Sequence, residues 1–322
     1  MTEHCQPDEP VTPGVGLVTR LAIVVINWHS AHHTREFIRL VRQSHTSDEA
    51  HVVVVDNNSS PTSLAEASAA AMKFDGVTLL QRSSNGGFAG GMNTGLEWAL
   101  GRGFEFVAIS NTDVSWDGPL FDRLVEALSA GTVDAVSPRI VTTGGTIWFA
   151  GAVLDRSYGA PRHLQEPEIR CAEPVERTEL LTGCLMVASA AVWRDVGMLD
   201  ERLFLIFEDS DWSMRAALAE RRLGVVMTTE LRHEVSRWVG PANSPLATYF
   251  FTRNGLEFAR RYGSVVSTLR FAMMHVVLPQ LRDWRRFRPW TEAATSRVLG
   301  CSDFVRGRFG DCPQRFRVGG PK

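Results

Sequence analysis

Four short apolar runs, each closed by a polar cluster, constrain this chain more than any other feature. They are Leu21–Ile26 (LAIVVI), Val52–Val55 (VVVV), Val77–Gln81 and Phe104–Ser110. The first two are unbroken β-branched runs, which suit strands covered on both faces, because neither face meets water. Helical stretches fall between them. One follows Asn27-Trp28-His29-Ser30 and reaches about Gln43. A second starts at Pro61 with Ser60 as its cap, and a third leaves the Gly-rich segment Asn85–Gly95 and reaches about Leu100. Strand and helix alternating in this way predict an α/β sheet with parallel strands. Asp56-Asn57-Asn58 and Asn111-Thr112-Asp113 then sit at the carboxyl ends of strands, the edge where open α/β sheets bind ligands.

Beyond the fourth run the pattern is more varied. Thr142–Leu154 reads as a hairpin, residues 155–177 as loop, Glu179–Val187 as a strand and Ala190–Val196 as a short helix. Arg202–Phe207 reads as a buried turn or strand leading into a helix that opens with Glu208-Asp209-Ser210-Asp211 and reaches about Glu220. A last strand, Gly224–Thr228, precedes His233, and from Tyr249 onward the pattern is helical and basic. The expected organisation is a flexible segment over residues 1–19, one α/β domain over 20–250, and a helical basic extension over 251–322.

Hydrophobic residues at 44% and charged residues at 22% exclude a disordered or coiled-coil chain. The net charge of -2 hides an asymmetry: residues 253–322 hold 14 Arg and Lys against 5 Asp and Glu. An acidic body suits cation binding, and a basic tail suits an anionic partner such as a membrane surface, although an Arg-rich solvated helix has the same composition. Nucleic acid is not an expected partner. Cys5, Cys171, Cys184, Cys301 and Cys312 show no CxxC spacing, which fits a reducing compartment. The start of the chain lacks a signal pattern, and no apolar stretch reaches a spanning length of about 18 residues. Ser264–Pro279 comes nearest and is interrupted by Arg270. The expected location is cytoplasmic, with peripheral contact at the inner face of the membrane through the basic tail.

Each polar cluster has a chemical reading and a plainer one. A carboxylate fixed at a strand end, as in Asn111-Thr112-Asp113, can hold a divalent cation on a diphosphate, but such tripeptides are also ordinary turns. The segment Asn85-Gly86-Gly87-Phe88-Ala89-Gly90-Gly91-Met92-Asn93 allows close backbone approach ahead of a helix N-terminus, a phosphate-friendly place. It matches neither the dinucleotide fingerprint nor a Walker loop. Glu208, Asp209 and Asp211 would repel one another unless a proton, donor or cation intervenes, and they follow the apolar Leu203–Phe207. That makes them candidates for a general base as well as for a helix N-terminus. His233 alone reads as structural.

The segments VVINWHS, VVVVDNNSS, SNGGFAGGMNTGL, ISNTDVSW, TGCLMVASAAVWRDVGMLDERLFLIFEDSDWSMRA and YFFTRNGLEFARRYG, in this order, resemble glycosyltransferase family 2. The likeness is nearest to its rhamnosyltransferase-like, polysaccharide-assembly branch. It covers about residues 20–262, and VRGRFG in the tail fits the same branch. The resemblance implies a GT-A fold, Rossmann-like, with a mostly parallel sheet flanked by helices. It implies that Asp56 reads the pyrimidine base with Asn27 beside it, and that Asn85, Asn93 and Asn111 line the donor site. Asp113 matches the last acid of the DXD motif, here with Asn111 in its first position. With His233, in HEVSRW, it would hold Mg²⁺ or Mn²⁺ on the donor diphosphate. Asp209, in FEDSDW, matches the general base of an inverting displacement, and Glu208 and Asp211 would orient it or touch acceptor hydroxyls. Trp212 or Trp116 would offer a sugar platform.

The implied partners are a nucleotide-sugar donor, of dTDP-rhamnose or UDP-hexose type, and a saccharide, lipid-linked or natural-product acceptor. Two other readings stand beside this one: a sugar-nucleotide or glycan-binding protein without catalysis, and a nucleotidyltransferase. The second lacks a Gly-rich, Arg- or Lys-bearing triphosphate loop near the first strand.

Overall fold

The computed structural model describes residues 20–46, 49–234, 244–285 and 291–313. Its first half runs β1 (Leu21–Asn27), α1 (Ala31–Ser44), β2 (Ala50–Asp56), α2 (Pro61–Ala71), β3 (Val77–Gln81), α3 (Gly87–Leu100), β4 (Phe106–Ser110), β5 (Val114–Trp116), α4 (Leu120–Ser129) and β6 (Ala135–Thr142). Next come β7 (Ile147–Phe149), β8 (Ala152–Asp155), β9 (Ala160–His163), β10 (Val175–Thr178), β11 (Leu185–Ser189), α5 (Ala190–Val196), α6 (Glu208–Leu218) and β12 (Leu223–His233). The chain closes with α7 (Pro245–Tyr262), α8 (Val265–Ala272), α9 (Leu278–Arg285) and α10 (Glu292–Val305).

The main sheet is ordered β10-β12-β6-β11-β4-β1-β2-β3, with β5 on β12 and β7 on β6. The stretch β4-β1-β2-β3 is parallel, as the alternation predicts, whereas β11 enters antiparallel between β4 and β6. Alternate residues of one strand feed two cores. Leu21, Ile23 and Val25 join one apolar cluster and Ala22 and Val24 another, while Val52 and Val54 part from Val53 and Val55 in the same way. These runs are therefore continuously apolar because both faces of the sheet are covered, each buried Val or Ile contributing about 1.5–3 kcal/mol.

Helix α3 lies against β1 more closely than side chains would ordinarily permit. A Cβ on Gly95 would stand 2.2 Å from Val24 Cγ1, and one on Gly91 would stand 2.6 Å from Ile26 Cδ1. The glycines of SNGGFAGGMNTGL thus serve helix-to-sheet packing as well as the loop. Ser60 caps α2 as expected: its hydroxyl accepts from the Ser63 amide at 3.4 Å, with Pro61 opening the helix.

Several expectations need correction. The last strand runs to His233 rather than Thr228, because a register shift between Val226 and Glu230 lets β12 keep pairing with β6. Residues 155–177 are not all loop, since β9 pairs with β8 and Val175 opens β10. The strand expected at Glu179–Val187 begins only at Leu185. For Arg202–Phe207, read as a turn or strand, the turn holds. The boundary expected at residue 250 falls inside α7, whose Leu246, Tyr249 and Phe250 share one apolar cluster with Phe204 and Cys312. The N-terminal segment 1–19 lies outside the described residues.

Because Gly95 faces the middle of β1, Gly95→Ala should lower unfolding free energy by about 2 kcal/mol or more through overpacking. Denaturant titration checks this, and an unchanged midpoint would mean that α3 is free to shift.

Candidate functional site

Two clefts meet along the carboxyl ends of β1, β2 and β4. The larger, about 1130 Å³, is polar and is lined by His29, His32, Ser60, Glu66, Asp117 and Arg232 among others. The smaller, about 580 Å³, has Asn57, Asn85, Asn111, His233 and Asp209 on its walls together with Trp28, Trp148, Phe250 and Phe251. Ser30, Thr112 and Asp113 line both.

Asp113 and His233 meet because β5 pairs antiparallel with β12, which puts Val114 opposite His233. Asp113 Oδ1 stands 3.4 Å from His233 Nε2, and the Asn111 side-chain amide lies 3.2 Å from that same nitrogen. Nε2 has one lone pair, which accepts from the Asn111 amide or binds a cation, but not both at once. A cation held by Asp113 and His233 would take the place of the Asn111 contact. Cis ligands at about 2.1 Å from an octahedral ion stand about 3 Å apart, near the spacing here. No group of three or more His, Cys, Asp or Glu side chains converges among the described residues, so diphosphate oxygens and water would have to complete the shell.

The acidic cluster is presented by a strained turn. Phe204, Ile206 and Phe207 all have positive φ, at 65°, 68° and 79°, a region that side chains other than Gly, Asn and Asp seldom adopt. Two residues of α7 hold the turn from behind. Asn254 Nδ2 donates to the carbonyls of Leu203, Leu205 and Ile206, each at 2.8 Å, and Arg253 Nη2 donates to Leu203 O at 3.1 Å. Gly255 follows because a Cβ there would stand 2.3 Å from the Phe271 ring.

The turn delivers Glu208 and Asp209 to the smaller cleft and keeps Asp211 away from it. Asp209 Oδ2 accepts from the Gly183 amide at 2.8 Å, and Oδ1 accepts from the Ser210 amide at 2.6 Å and the Ser210 hydroxyl at 3.2 Å, which leaves a lone pair on Oδ2. Glu208 is buried, and its Oε2 has no hydrogen-bond partner among the described residues. Burial, followed by the charge of Asp209, pushes its carboxyl up to about 8, so it is protonated at neutral pH. Asp211 is 1% exposed and spends its carboxylate on Arg215 at 3.0 Å, Arg261 at 2.6 Å and the Tyr262 hydroxyl at 2.7 Å. Contact between Asp211 and an acceptor, expected from the resemblance, is not compatible with that burial.

Residues 22–180 match the family model for Glycosyl transferase family 2. This stretch is a glycosyl transferase family 2 domain. The chain is 23% identical over 242 residues to the low-salt glycan biosynthesis hexosyltransferase Agl10 of Haloferax volcanii, covering 71% of this chain and 72% of the relative. It is 30% identical over 132 residues to the polyprenol monophosphomannose synthase of Mycolicibacterium smegmatis, which is 40% of this chain and about half, 48%, of that relative. Among solved structures, the mannosyltransferase PcManGT of Pyrobaculum calidifontis, in complex with GDP-Man and Mn2+, superposes with a TM-score of 0.58 at 17% identity, covering 90% of this chain and 88% of that one. The fold is GT-A. The family match ends before Gly183, Asp209 and His233, so half of the site lies beyond it.

Within the family 2 domain the structure sorts the asparagines. Asn85 lines the smaller cleft and receives the Asn57 amide at 2.9 Å, and Asn57 also holds Gly87 O and the Gly86 amide. Asn57 was legible only as a neighbour of Asp56. Asn27 and Asp56 are fully buried and line neither cleft; Asn27 Nδ2 donates to Asp56 Oδ2 at 2.7 Å, and Asp56 Oδ1 accepts from the Ser59 amide at 3.0 Å. They set the loop that carries Asn57 and Ser60. Asn93 also lies away from both clefts, tying α3 to Leu199 and Glu201.

The aromatic expectations need revision as well. Trp212 is fully buried beside Trp193, and Trp116, 6% exposed at the wall of the polar cleft, packs edge-on against Phe37 and Phe121. Trp28 and Trp148 line the smaller cleft instead, with the Trp148 ring 5.2 Å from that of His233. Sequence reasoning also missed Asp311 and Cys312. They reach the cleft because Arg253 Nη1 donates to Gly310 O at 2.7 Å and the Gly310 amide donates to Arg202 O at 2.7 Å, folding the tail back. No local signal in the sequence marks that return.

Glu208 has a pH signature. The unfolded chain releases its proton near 4.5 and the folded chain near 8, so stability should fall as pH rises through that window and level off above it. Glu208→Gln should remove this component, which amounts to at most about 5 kcal/mol. Denaturant titrations of both proteins at about pH 5 and pH 9 should converge at the acid end and separate at the alkaline end. Parallel curves would contradict the burial argument.

Proposed function

We propose that the chain is an inverting glycosyltransferase that moves a sugar from a nucleotide-sugar donor to a hydroxyl group of a glycan, lipid-linked or small natural-product acceptor. The observation that carries this reading is the smaller cleft. Asp209 stands on one wall with both oxygens oriented by amides, and the Asp113–His233 pair stands on another. Cleft, family 2 domain and GT-A fold support nucleotide-sugar chemistry together. Within that class a dTDP-rhamnose donor rests on the branch resemblance alone, with a UDP-hexose as the alternative.

In the proposed displacement an acceptor hydroxyl oxygen attacks the anomeric carbon while Asp209 takes its proton. The bond from that carbon to the diphosphate oxygen breaks with inversion, and the nucleoside diphosphate leaves with the electron pair. Asp113 and His233 would hold Mg²⁺ or Mn²⁺, which supplies positive charge beside the diphosphate when bound. Asn57 and Asn85 set the backbone at Gly86 and Gly87 where the donor lies. Protonated Glu208 adds no second negative charge beside Asp209. Trp28 and Trp148 are the aromatic faces available to a sugar ring, and shape and position contribute the rest.

One second reading has an observation behind it. Asn111 replaces the first acid of the DXD pattern, and no three-ligand cluster converges among the described residues, as in a protein that binds a sugar nucleotide without turning it over. Asp209→Asn separates the two. Nucleoside diphosphate release, scored over a panel of dTDP-, UDP- and GDP-sugars with and without EDTA, should fall by about 10²-fold or more. The donor-induced thermal shift should persist. Equal release by the variant and the wild type would remove Asp209 from the chemistry, and a panel that shifts the melting temperature of neither would sink the donor site itself.

A further inference from the structure

Helix α8, a π turn at Met273–Val277 and α9 form one rod whose inner side is firmly seated. Phe271 is fully buried against α7, Ser267 is 2% exposed, and Asp283 turns inward to pair with Arg297. The outer side has an unusual composition. Every exposed position from 265 to 284 is a large apolar residue or an arginine, and none is acidic. Val265 is 77% exposed, Leu269 65% and Trp284 67%, and Met273, Val277 and Leu281 continue the stripe between them. Arg270 and Arg282 flank it, and the sequence continues with Arg285, Arg286 and Arg288.

We propose that this outer face docks in the headgroup region of an anionic bilayer, lying in the surface rather than crossing it. A contiguous apolar face of this length marks an interaction surface. Apolar side chains flanked only by arginines, with a tryptophan near one end, match the interfacial zone of a membrane with negative headgroups. A second copy of the chain fits less well. Self-pairing would bring Arg270 and Arg282 against their own kind with no carboxylate on the face to offset them. No described helix is long and apolar enough to span.

The docking has a consequence for substrate, which rests on the glycosyl-transfer reading. Phe251, 38% exposed, lines the smaller cleft beside Leu246 and Phe250, and its ring packs 5.7 Å from Phe271 and 5.3 Å from His275 on the rod. The apolar wall of the cleft therefore abuts the inner side of the rod whose outer side is the docking face. Docking would bring the cleft close to the bilayer, within reach of an acceptor carried on a lipid.

Vesicle flotation of the full chain tests the proposal, using phosphatidylcholine with phosphatidylglycerol against phosphatidylcholine alone. The wild type should float with the anionic vesicles. Leu269→Glu/Leu281→Glu should partition at least tenfold less, roughly, and Arg270→Gln/Arg282→Gln about fivefold less per arginine with a shallower salt dependence. These positions are exposed, so both variants should keep the wild-type melting temperature and the wild-type donor-induced thermal shift. A wild type that stays with the bulk solution while keeping its donor shift overturns the docking and leaves the transferase reading intact. A glutamate variant that floats equally well also overturns it. A dimer by light scattering that the glutamate variant dissolves, with neither protein floating, would assign the face to a second copy.

Discussion

The site depends on one buried side-chain amide, whose two N–H groups are shared among three backbone carbonyls. Asn254 Nδ2 holds the carbonyls of Leu203, Leu205 and Ile206, and so stabilises a turn in which Phe204, Ile206 and Phe207 all adopt positive φ. Left to local preference each of these bulky residues would leave that region, at a gain of about 1 kcal/mol or more apiece. A net contribution of about 1 kcal/mol per hydrogen bond, with the added penalty of stranding buried carbonyls, is enough to hold them there. The reward is directional. The chain emerges from the turn with Glu208 and Asp209 at the cleft and Asp211 facing the opposite way.

Asp211 completes the same device from the other side. Arg261 joins it to Asp200 and Glu257, and Arg215 joins it to the carbonyls of Val196 and Met198. A buried ion pair of this kind adds little net stability, yet removing one partner costs about 3–5 kcal/mol. It works as an anchor that fixes α7 to α6, so the strained turn that leads into α6 has one geometry. The helix that begins before residue 250 and ends after it is thus part of the site, and an extension joined only at its edge could not act this way. The tail then returns along Arg253 to close the cleft with Asp311 and Cys312.

The parallel half of the sheet was plain in the residues because β1 and β2 are buried on both faces, which leaves unbroken, largely β-branched runs. The placing of Asp113 at a strand end followed from the same runs. His233 was harder. The expected strand stopped at Thr228, and only the register shift after Val226 carries β12 far enough to bring His233 to Asp113. Asn27, Asp56 and Asn93 illustrate another limit. Residue type and position say that an amide or carboxylate sits near a ligand edge, but whether it faces the cleft or braces the loop is decided by partners tens of residues away. Trp148, Asp311 and Cys312 arrive through long-range packing, and no local pattern carries that information. The same holds for the outer face of residues 265–284, whose apolar character was visible while its exposure was not.

The most direct test of this account is the turnover of Asn254→Ala, measured well below its melting temperature, beside its donor-induced thermal shift. The clamp predicts a larger loss of turnover than of donor shift, because the turn carries Asp209 directly, stands apart from Asp113 and His233, and meets the Gly-rich segment where Phe204 O accepts from the Ala89 amide. Unchanged turnover in a folded variant would contradict the account, since the turn would then hold its shape without Asn254.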